Sequence, residues 1–185
     1  MTDEKPELPL LEKPRVSDVR LVETADQLLL ATTLLKASNG PFALDAERAS
    51  GFKYSQRAYL IQVHRAGTPI FLIDPISVLI DDKKAIDSFA SLLSTDEWIL
   101  HAASQDIPCL RELGIVPTRI FDTELGSRIA GLARVGLGAV TEQILGLRLA
   151  KEHSAVDWST RPLNKEWLNY AALDVDVLLE LREGV

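Results

Sequence analysis

Cysteine is nearly absent from this sequence. Cys109 is the only one among 185 residues, so an intrachain disulfide and a cysteine-based zinc ribbon are both excluded. This composition fits a reducing cytoplasm, and we expect a cytoplasmic protein. Because Cys109 follows Pro108 in an apolar, helix-like stretch, we interpret it as a small buried core residue.

Long apolar runs are also missing. No stretch approaches the roughly 20 residues that a helix needs to cross a bilayer, so we expect no association with a membrane. Residues 1–15 are charged, contain three prolines and have neither an apolar core nor a small-residue cleavage site, which excludes a signal peptide. We predict that they form a flexible leader.

Basic residues are fewer than acidic residues. The chain has 20 Lys and Arg against 27 Asp and Glu, a net charge of −7. Passive nucleic-acid binders are usually basic, so this balance argues against that class. It argues less against a metal-dependent nuclease, because bound cations supply positive charge. Metalloprotease, P-loop and serine-hydrolase strings are absent, and the three histidines lack metal-ligand spacing.

The order of the predicted elements indicates an α/β fold. Strand-like apolar segments lie at 19–22, 42–48, 58–64, 70–73 and 98–102. Helical patterns lie at 24–36, where Thr24 and Gln27 form a capping box, and at 82–93, 105–113 and 164–182. Strands joined by hairpins and then alternating with helices predict a mixed sheet flanked by helices on both sides, within one domain at residues 16–185.

Two carboxylates stand at the end of the apolar segment that begins at residue 41. Asp45 and Glu47 are two residues apart, so in a strand they project from the same face. Like charges held that close repel each other and are costly to desolvate. A hard divalent cation removes this cost, because oxygen ligands suit Mg²⁺ and Mn²⁺. The alternative is a solvated strand end, since a D-x-E pair often occurs by chance.

Other acids could join this pair. Tyr170 and Asp174 fall on the edge of the apolar face of the last helix, four residues apart on adjacent turns. Taken alone, they also fit a tyrosine at the core edge beside an acid at the rim. Asp106 falls in the first turn of a helix, where the helix dipole alone would account for it, and Ser104 is a candidate N-cap.

Together these segments resemble the three motifs of the DEDD exonuclease superfamily, in its tyrosine-bearing (DEDDy) branch. The motifs correspond to Asp45-Ala-Glu47, to Asp106 and to Tyr170-x-x-x-Asp174. Further strings, at 59–62, 73–75, 101–106, 121–123 and 157–163, resemble ribonuclease D. The resemblance covers residues 16–181. It implies a ribonuclease H-like fold and a phosphodiester hydrolase that shortens RNA from its 3′ end, with tRNA and other stable RNAs as expected substrates.

The resemblance also implies how the residues act. Two divalent cations, Mg²⁺ or Mn²⁺, would act on the single-stranded 3′ end of an RNA. Asp45, Glu47 and Asp174 would hold the cation that activates water, and Asp45 would bridge both cations. Asp106 would hold the second cation through water, and Tyr170 would orient the attacking water.

Several cationic and aromatic residues are candidate contacts to the substrate, because cations bind phosphates and aromatic rings stack on bases. They are Arg48, Lys53, Tyr54, Arg57, Tyr59, His101, Arg128, Trp158 and Arg161. The alternatives are a solvated hairpin edge for residues 53–59 and simple packing for Trp158. Arg48 departs from the residue types common after the first motif, so contacts to the terminal nucleotide would differ.

Two other functions stay open on the sequence alone. A DNA-directed 3′→5′ exonuclease of the proofreading or repair type would use the same residues and cations. A catalytically silent domain that binds nucleic acid or protein would keep the fold without turnover. Ribonuclease D proteins normally continue into helical HRDC domains. No such domain is present in this chain, so the resemblance implies C-terminal HRDC domains in the full-length protein.

Overall fold

A computed structural model describes residues 7–49, 52, 56–150 and 156–185. The strands in these ranges are β1 (Leu10–Leu11), β2 (Val19–Val22), β3 (Phe42–Arg48), β4 (Ala58–His64), β5 (Ile70–Ile73), β6 (Glu97–Leu100), β7 (Arg119–Asp122) and β8 (Arg148–Leu149). The helices are α1 (Ala25–Lys36), α2 (Pro75–Asp81), α3 (Lys83–Leu93), α4 (Ile107–Glu112), α5 (Thr123–Ile129), α6 (Leu137–Leu145), α7 (Lys165–Asp176) and α8 (Leu178–Gly184). None of these helices has both the length and the apolar character that a membrane span requires.

Six strands form the central sheet, in the order β2-β5-β4-β3-β6-β7. β4 is antiparallel to both β3 and β5, whereas the β2–β5, β3–β6 and β6–β7 pairs are parallel. The predicted mixed sheet is therefore confirmed. β3 has a neighbour on each side, so the strand that carries Asp45 and Glu47 lies inside the sheet.

Helices cover both faces of this sheet, as predicted. One apolar cluster joins the sheet to α1, α3 and α4 and includes Leu44 of β3. The second joins it to α6, α7 and α8 and includes Ala43, the neighbouring residue of β3. Successive side chains of a strand point to opposite faces, which explains why adjacent residues belong to different clusters.

Most predicted elements are confirmed, but the last helix is not continuous. The pattern at 164–182 predicts one helix, whereas the structure has α7 and α8 with a break at Val177. At this break Arg15 donates from its guanidinium to the backbone carbonyl of Asp176 at 3.1 Å. A contact from a distant segment therefore accompanies the interruption, and local periodicity does not reveal it.

Residues 7–15 of the predicted leader have fixed partners. Leu10–Leu11 forms a parallel pair with Arg148–Leu149. Arg15 donates from its backbone and from Nε to the carboxylate of Asp176, at 3.1 and 3.0 Å. The Asp176 side chain is only 2% exposed, and a buried carboxylate is costly unless it is paired. These contacts correct the expectation of a leader without fixed structure for this part of it.

Candidate active site

β3 directs two acids toward the face of the sheet that α7 covers. Asp45 and Glu47 alternate with Leu44 and Ala46, which belong to the cluster on the opposite face. The pairing of β3 with β4 shifts register immediately after Glu47. Such irregularities bend a strand and re-aim its side chains, and they are frequent beside active sites. The predicted projection of both carboxylates from one face is confirmed.

α7 brings the third acid to the same point. It contacts β3, β4 and β5. One ligand oxygen from each of Asp45, Glu47 and Asp174 lies within 4.8 Å of the other two, and Glu47 and Asp174 are buried. We call these three residues and Asp106 the acidic cluster. Residues more than 120 positions apart in the chain are therefore united at one site.

Asp106 occupies the N-cap position of α4, yet its side chain makes no capping hydrogen bond. Instead it is 5% exposed and forms a hydrogen bond with Asp45. The side chain of Asp106 therefore does not cap the helix, and the expectation of Ser104 as the N-cap is wrong. The carboxyl group faces the acidic cluster because the loop before α4 turns it inward.

The loop between β6 and α4 is held by a carboxylate from the neighbouring strand. Ala102 adopts a left-handed conformation with φ 59°, which is strained for a residue with a β-carbon. The backbone N–H groups of Ala102 and Ala103 donate to the two oxygens of Asp122, at 3.1 and 2.9 Å. Asp122 also caps α5. Asp122 is thus a structural acid near the site.

Gln62 connects two members of the acidic cluster, and sequence reasoning did not single it out. Its side chain is fully buried, and Nε2 donates to Asp45 and Glu47, both at 3.3 Å. Its Oε1 is buried without a hydrogen-bond partner among the described residues. The available signal was a lone amide in the middle of the otherwise apolar run of β4.

The electrostatics of the cluster favour bound protons or cations. Burial and the charge of Asp45 raise the pKa of Asp106 to about 9. Burial, together with the charges of Asp45, Asp174 and Asp106, raises the pKa of Glu47 well above its ordinary value. Burial also raises the pKa of Asp45. These carboxyl groups are therefore difficult to ionise together without added positive charge.

The residues present fit a divalent cation. In the described part of the chain, no lysine or arginine forms an ion pair with Asp45, Glu47 or Asp106, although these acids are close together and mostly buried. Carboxylate oxygens are the ligands that hard cations such as Mg²⁺ and Mn²⁺ prefer. The cluster therefore has the donor set of a metal site.

Tyr170 adds a hydroxyl group to the cluster. It lies one helical turn before Asp174 on α7 and forms a side-chain hydrogen bond with it. Burial and the charges of Asp174 and Glu47 raise its pKa well above the ordinary value. The phenol therefore stays protonated at neutral pH and can donate a hydrogen bond.

The acidic cluster opens into a cleft of about 380 Å³. Two predicted substrate contacts, Arg48 and His101, line it. The ring Nδ1 of His101 is 2.9 Å from Thr123 Oγ1, and burial lowers its pKa, so the ring is neutral at pH 7. Lining residues that the sequence did not suggest include Gln105, Glu124, Gly136 and Leu137. Glu124 could not be predicted, because in sequence it looks like any solvated acid in the first turn of a helix.

Arg161, a predicted phosphate contact, is engaged elsewhere. Its Nε and Nη2 donate to the two oxygens of Asp74 at 2.6 and 2.9 Å, and Nη2 also donates to the backbone carbonyl of Tyr59. Burial acts to raise the pKa of Asp74, but the hydrogen bonds from Arg161 and Ser77 hold it below the ordinary value. The prediction for Arg161 is corrected: it balances a buried carboxylate.

For Trp158 the structure agrees with the packing alternative. It is fully buried, and its ring packs edge-to-face on Trp167 at a centroid distance of 5.7 Å. A side chain in that position cannot stack on a base, so it serves the core.

The remaining candidates that the structure describes do not line the cleft. Tyr59 is half-buried against the α7 side of the core, and Arg57 is exposed. Arg128 donates to Glu124 at 3.2 Å, so it lies beside the cleft rather than in its lining. Lys53 and Tyr54 fall outside the described residues.

The chain matches a known family over most of its length. The model of a family described as 3′-5′ exonuclease aligns with residues 19–184. The chain belongs to this 3′-5′ exonuclease family. The exonuclease domain is similar to ribonuclease D of Bartonella henselae, with 30% identity over 165 residues that cover 88% of this chain and 40% of the relative. The first curated relatives are matched over 36% to 43% of their length, so this chain spans less than half of each.

Solved structures agree with the ribonuclease H-like fold that the resemblance implied. A protein from Bifidobacterium adolescentis superposes on the exonuclease domain with a TM-score of 0.89 and 46% identity, covering 96% of this chain and 43% of that one. RNase D of Escherichia coli superposes with a TM-score of 0.73 and 27% identity, covering 90% and 44%. The latter is described as an exoribonuclease involved in structured RNA processing.

Proposed function

We propose that this chain is the catalytic domain of a metal-dependent 3′→5′ exoribonuclease of the ribonuclease D type. The observation that carries the proposal is the convergence of Asp45, Glu47 and Asp174 within 4.8 Å in a chain of the exonuclease family. RNA as the substrate is supported by the curated relatives, which are ribonucleases D, and by the similarity to E. coli RNase D.

The acidic cluster would hold two divalent cations, Mg²⁺ or Mn²⁺. Asp45, Glu47 and Asp174 would ligate one, and Asp106, through its proximity to Asp45, would help hold the other. Bound cations of this kind supply an activated water and neutralise the charge that develops on the phosphate. Four carboxylates and two dications sum to zero formal charge, which relieves the repulsion that raises the pKa of Glu47 and Asp106.

The surrounding side chains prepare the site. The protonated hydroxyl of Tyr170 would orient the attacking water. Gln62 would keep the carboxylates of Asp45 and Glu47 in a fixed arrangement through its shared amide donor. Arg48, which lines the cleft and acts electrostatically on Asp45 and Asp106, is available to a phosphate.

The test compares 5′-labelled single-stranded RNA with DNA of the same sequence, in Mg²⁺ and in Mn²⁺. We expect RNA to be shortened one nucleotide at a time from its 3′ end, and Asp45→Asn to abolish this while the thermal unfolding transition remains. Asp87→Asn is the matched control, because Asp87 is an exposed acid on α3, across the sheet.

Other outcomes would replace the proposal. Faster degradation of DNA would favour the DNA-directed alternative, since the two substrates differ at the 2′-hydroxyl. Absence of both turnover and Mn²⁺ binding, measured by calorimetry, would favour a silent binding domain. Retained activity in Asp45→Asn would reject the assignment of the acidic cluster. tRNA as the substrate, the cytoplasmic location and C-terminal HRDC domains stay predictions.

A further inference from the structure

A groove continues from the acidic cluster along α7. The cleft adjoins a second depression of about 480 Å³, since both are lined by Leu137, Tyr170 and Asp174. The second adjoins a third, of about 440 Å³, through Tyr170, Leu173 and Ala150. Because the depressions share lining residues, they form one path, which we call the α7 groove.

The floor of the α7 groove is one face of the helix. Its lining residues follow two stripes at intervals of four positions, which lie side by side on a helix surface. The stripes are Lys165, Asn169 and Leu173, and Glu166, Tyr170 and Asp174. From residue 165 to residue 174 the helix rises about 14 Å, at about 1.5 Å per residue. The far end therefore lies well beyond the scissile bond of a substrate at the acidic cluster.

Two lysines stand at this far end. Lys13 and Lys165 line it and are exposed, and neither forms an ion pair with another described residue. The Asn169 side chain donates to the backbone carbonyl of Glu12 at 2.7 Å, which places the Lys13 segment against α7. Among the described residues that line this end, Glu166 is the single acid. In a chain with a net charge of −7, two such lysines make this end complementary to phosphate.

We propose that the α7 groove holds the single-stranded RNA on the 5′ side of the scissile bond, with Lys13 and Lys165 contacting its backbone phosphates. The inference rests on the proposed function. The direction of the RNA strand in the groove follows from exonuclease chemistry. On the 3′ side of the scissile bond only one nucleoside remains, with no phosphate beyond the scissile one. Cations at the opposite end of the groove from Asp174 can therefore reach only the retained strand. The apolar side chains of Leu149 and Ala150 border the path and would face sugars and bases.

The experiment uses the whole chain and two RNA substrates, an octanucleotide that reaches the far end and a dinucleotide that does not. In the double variant Lys13→Gln/Lys165→Gln, the ratio of kcat/KM for octanucleotide over dinucleotide is expected to fall several-fold. The slope of log kcat/KM against log salt for the octanucleotide should become shallower by about 1.4, at about 0.7 per phosphate contact to a single strand. The matched control is Lys36→Gln/Lys84→Gln, with exposed lysines on helices of the opposite sheet face.

The outcomes are separable. An unchanged ratio and slope in an active double variant would overturn the inference, and so would an equal loss in the control pair. If the wild type degrades neither substrate, the proposed function fails first. Thermal unfolding verifies that the variants are folded. If the double variant is unfolded, the single variants Lys13→Gln and Lys165→Gln are measured instead. Each is expected to change the salt-dependence slope by about half as much.

Discussion

Gln62 lies directly opposite Asp45 in the antiparallel β3–β4 pair, and its amide nitrogen is 3.3 Å from an oxygen of that carboxylate. The same nitrogen is 3.3 Å from Glu47. One neutral donor therefore serves two acids that would ligate a cation. Groups that orient metal ligands in this way commonly govern affinity for the metal.

Replacing Gln62 by leucine should weaken cation binding. The two carboxylates would lose their shared donor, and we expect the Mn²⁺ dissociation constant and the half-saturating Mg²⁺ concentration for turnover to rise roughly tenfold or more. Calorimetry measures the first and a Mg²⁺ titration of activity the second. Gln143→Leu, at an exposed position on α6, is the control. Unaltered Mn²⁺ affinity in Gln62→Leu would show that the hydrogen bond from Gln62 does not position the Asp45 carboxylate for metal binding.

Replacing Asp106 by asparagine should stabilise the metal-free protein and reduce turnover. The substitution removes a buried acid from a cluster of like charges, and no capping hydrogen bond is lost. With EDTA at pH 8 we expect a gain of about 1–3 kcal/mol in the free energy of unfolding, measured with urea. Asp82→Asn is a useful contrast, because Asp82 caps α3 through the Lys84 N–H. A loss of stability in Asp106→Asn would contradict the repulsion argument.

The stability of the metal-free protein should depend on pH through Asp106. Its pKa is about 9 in the folded state, far above that of an unfolded aspartate. The folded state therefore keeps a proton that the unfolded state releases. This contribution to stability is complete below about pH 4 and is lost as pH rises toward about 9.

Melting temperatures in EDTA from pH 5 to pH 9 check this prediction. The melting temperature of the wild type should fall relative to that of Asp106→Asn as pH rises, and Mn²⁺ should restore it at the alkaline end. Parallel curves for the two proteins in EDTA would refute the prediction.

Replacing Arg161 by alanine should cost stability. Asp74, whose side chain has no exposure, would lose its cation, and removing one partner of a buried pair costs about 3 kcal/mol or more. Urea unfolding measures the loss. Arg128→Ala is the control, because the exposed Arg128–Glu124 pair should contribute less than about 1 kcal/mol. Full stability with weakened RNA binding in Arg161→Ala would restore the phosphate-contact interpretation.

The sequence predicts the centre of the sheet well. β3, β4 and β5 have the bounds that the apolar segments predict, because buried strands between turn signals leave a clear pattern. The strands β1, β7 and β8, of two to four residues, and the seven-residue helix α2 were missed, since such short elements carry little periodicity. The break at Val177 was also missed, because it coincides with a contact to Arg15.

The site was only partly predictable. Alternation in a strand places Asp45 and Glu47 on one face, but nothing local brings Asp174 to them, and that step came from the family resemblance. The same resemblance assigned Asp106 to the site, although the helix dipole alone would account for an acid at that position. Burial of Trp158 and pairing of Arg161 depend on tertiary contacts, so composition and spacing could not decide between packing and substrate contact for Trp158 and could not reveal the partner of Arg161.

The anchoring of Arg15 on Asp176 bears on how this protein is best produced. Asp176 follows Asp174 by two residues on α7, and its buried carboxylate accepts hydrogen bonds from the side chain and backbone of Arg15 and from the Val16 N–H. A shortened form that starts at residue 16 would remove the guanidinium that pairs with this buried acid, two residues from a proposed metal ligand. Expression boundaries chosen just before β2 would thus compromise the helix that carries Asp174.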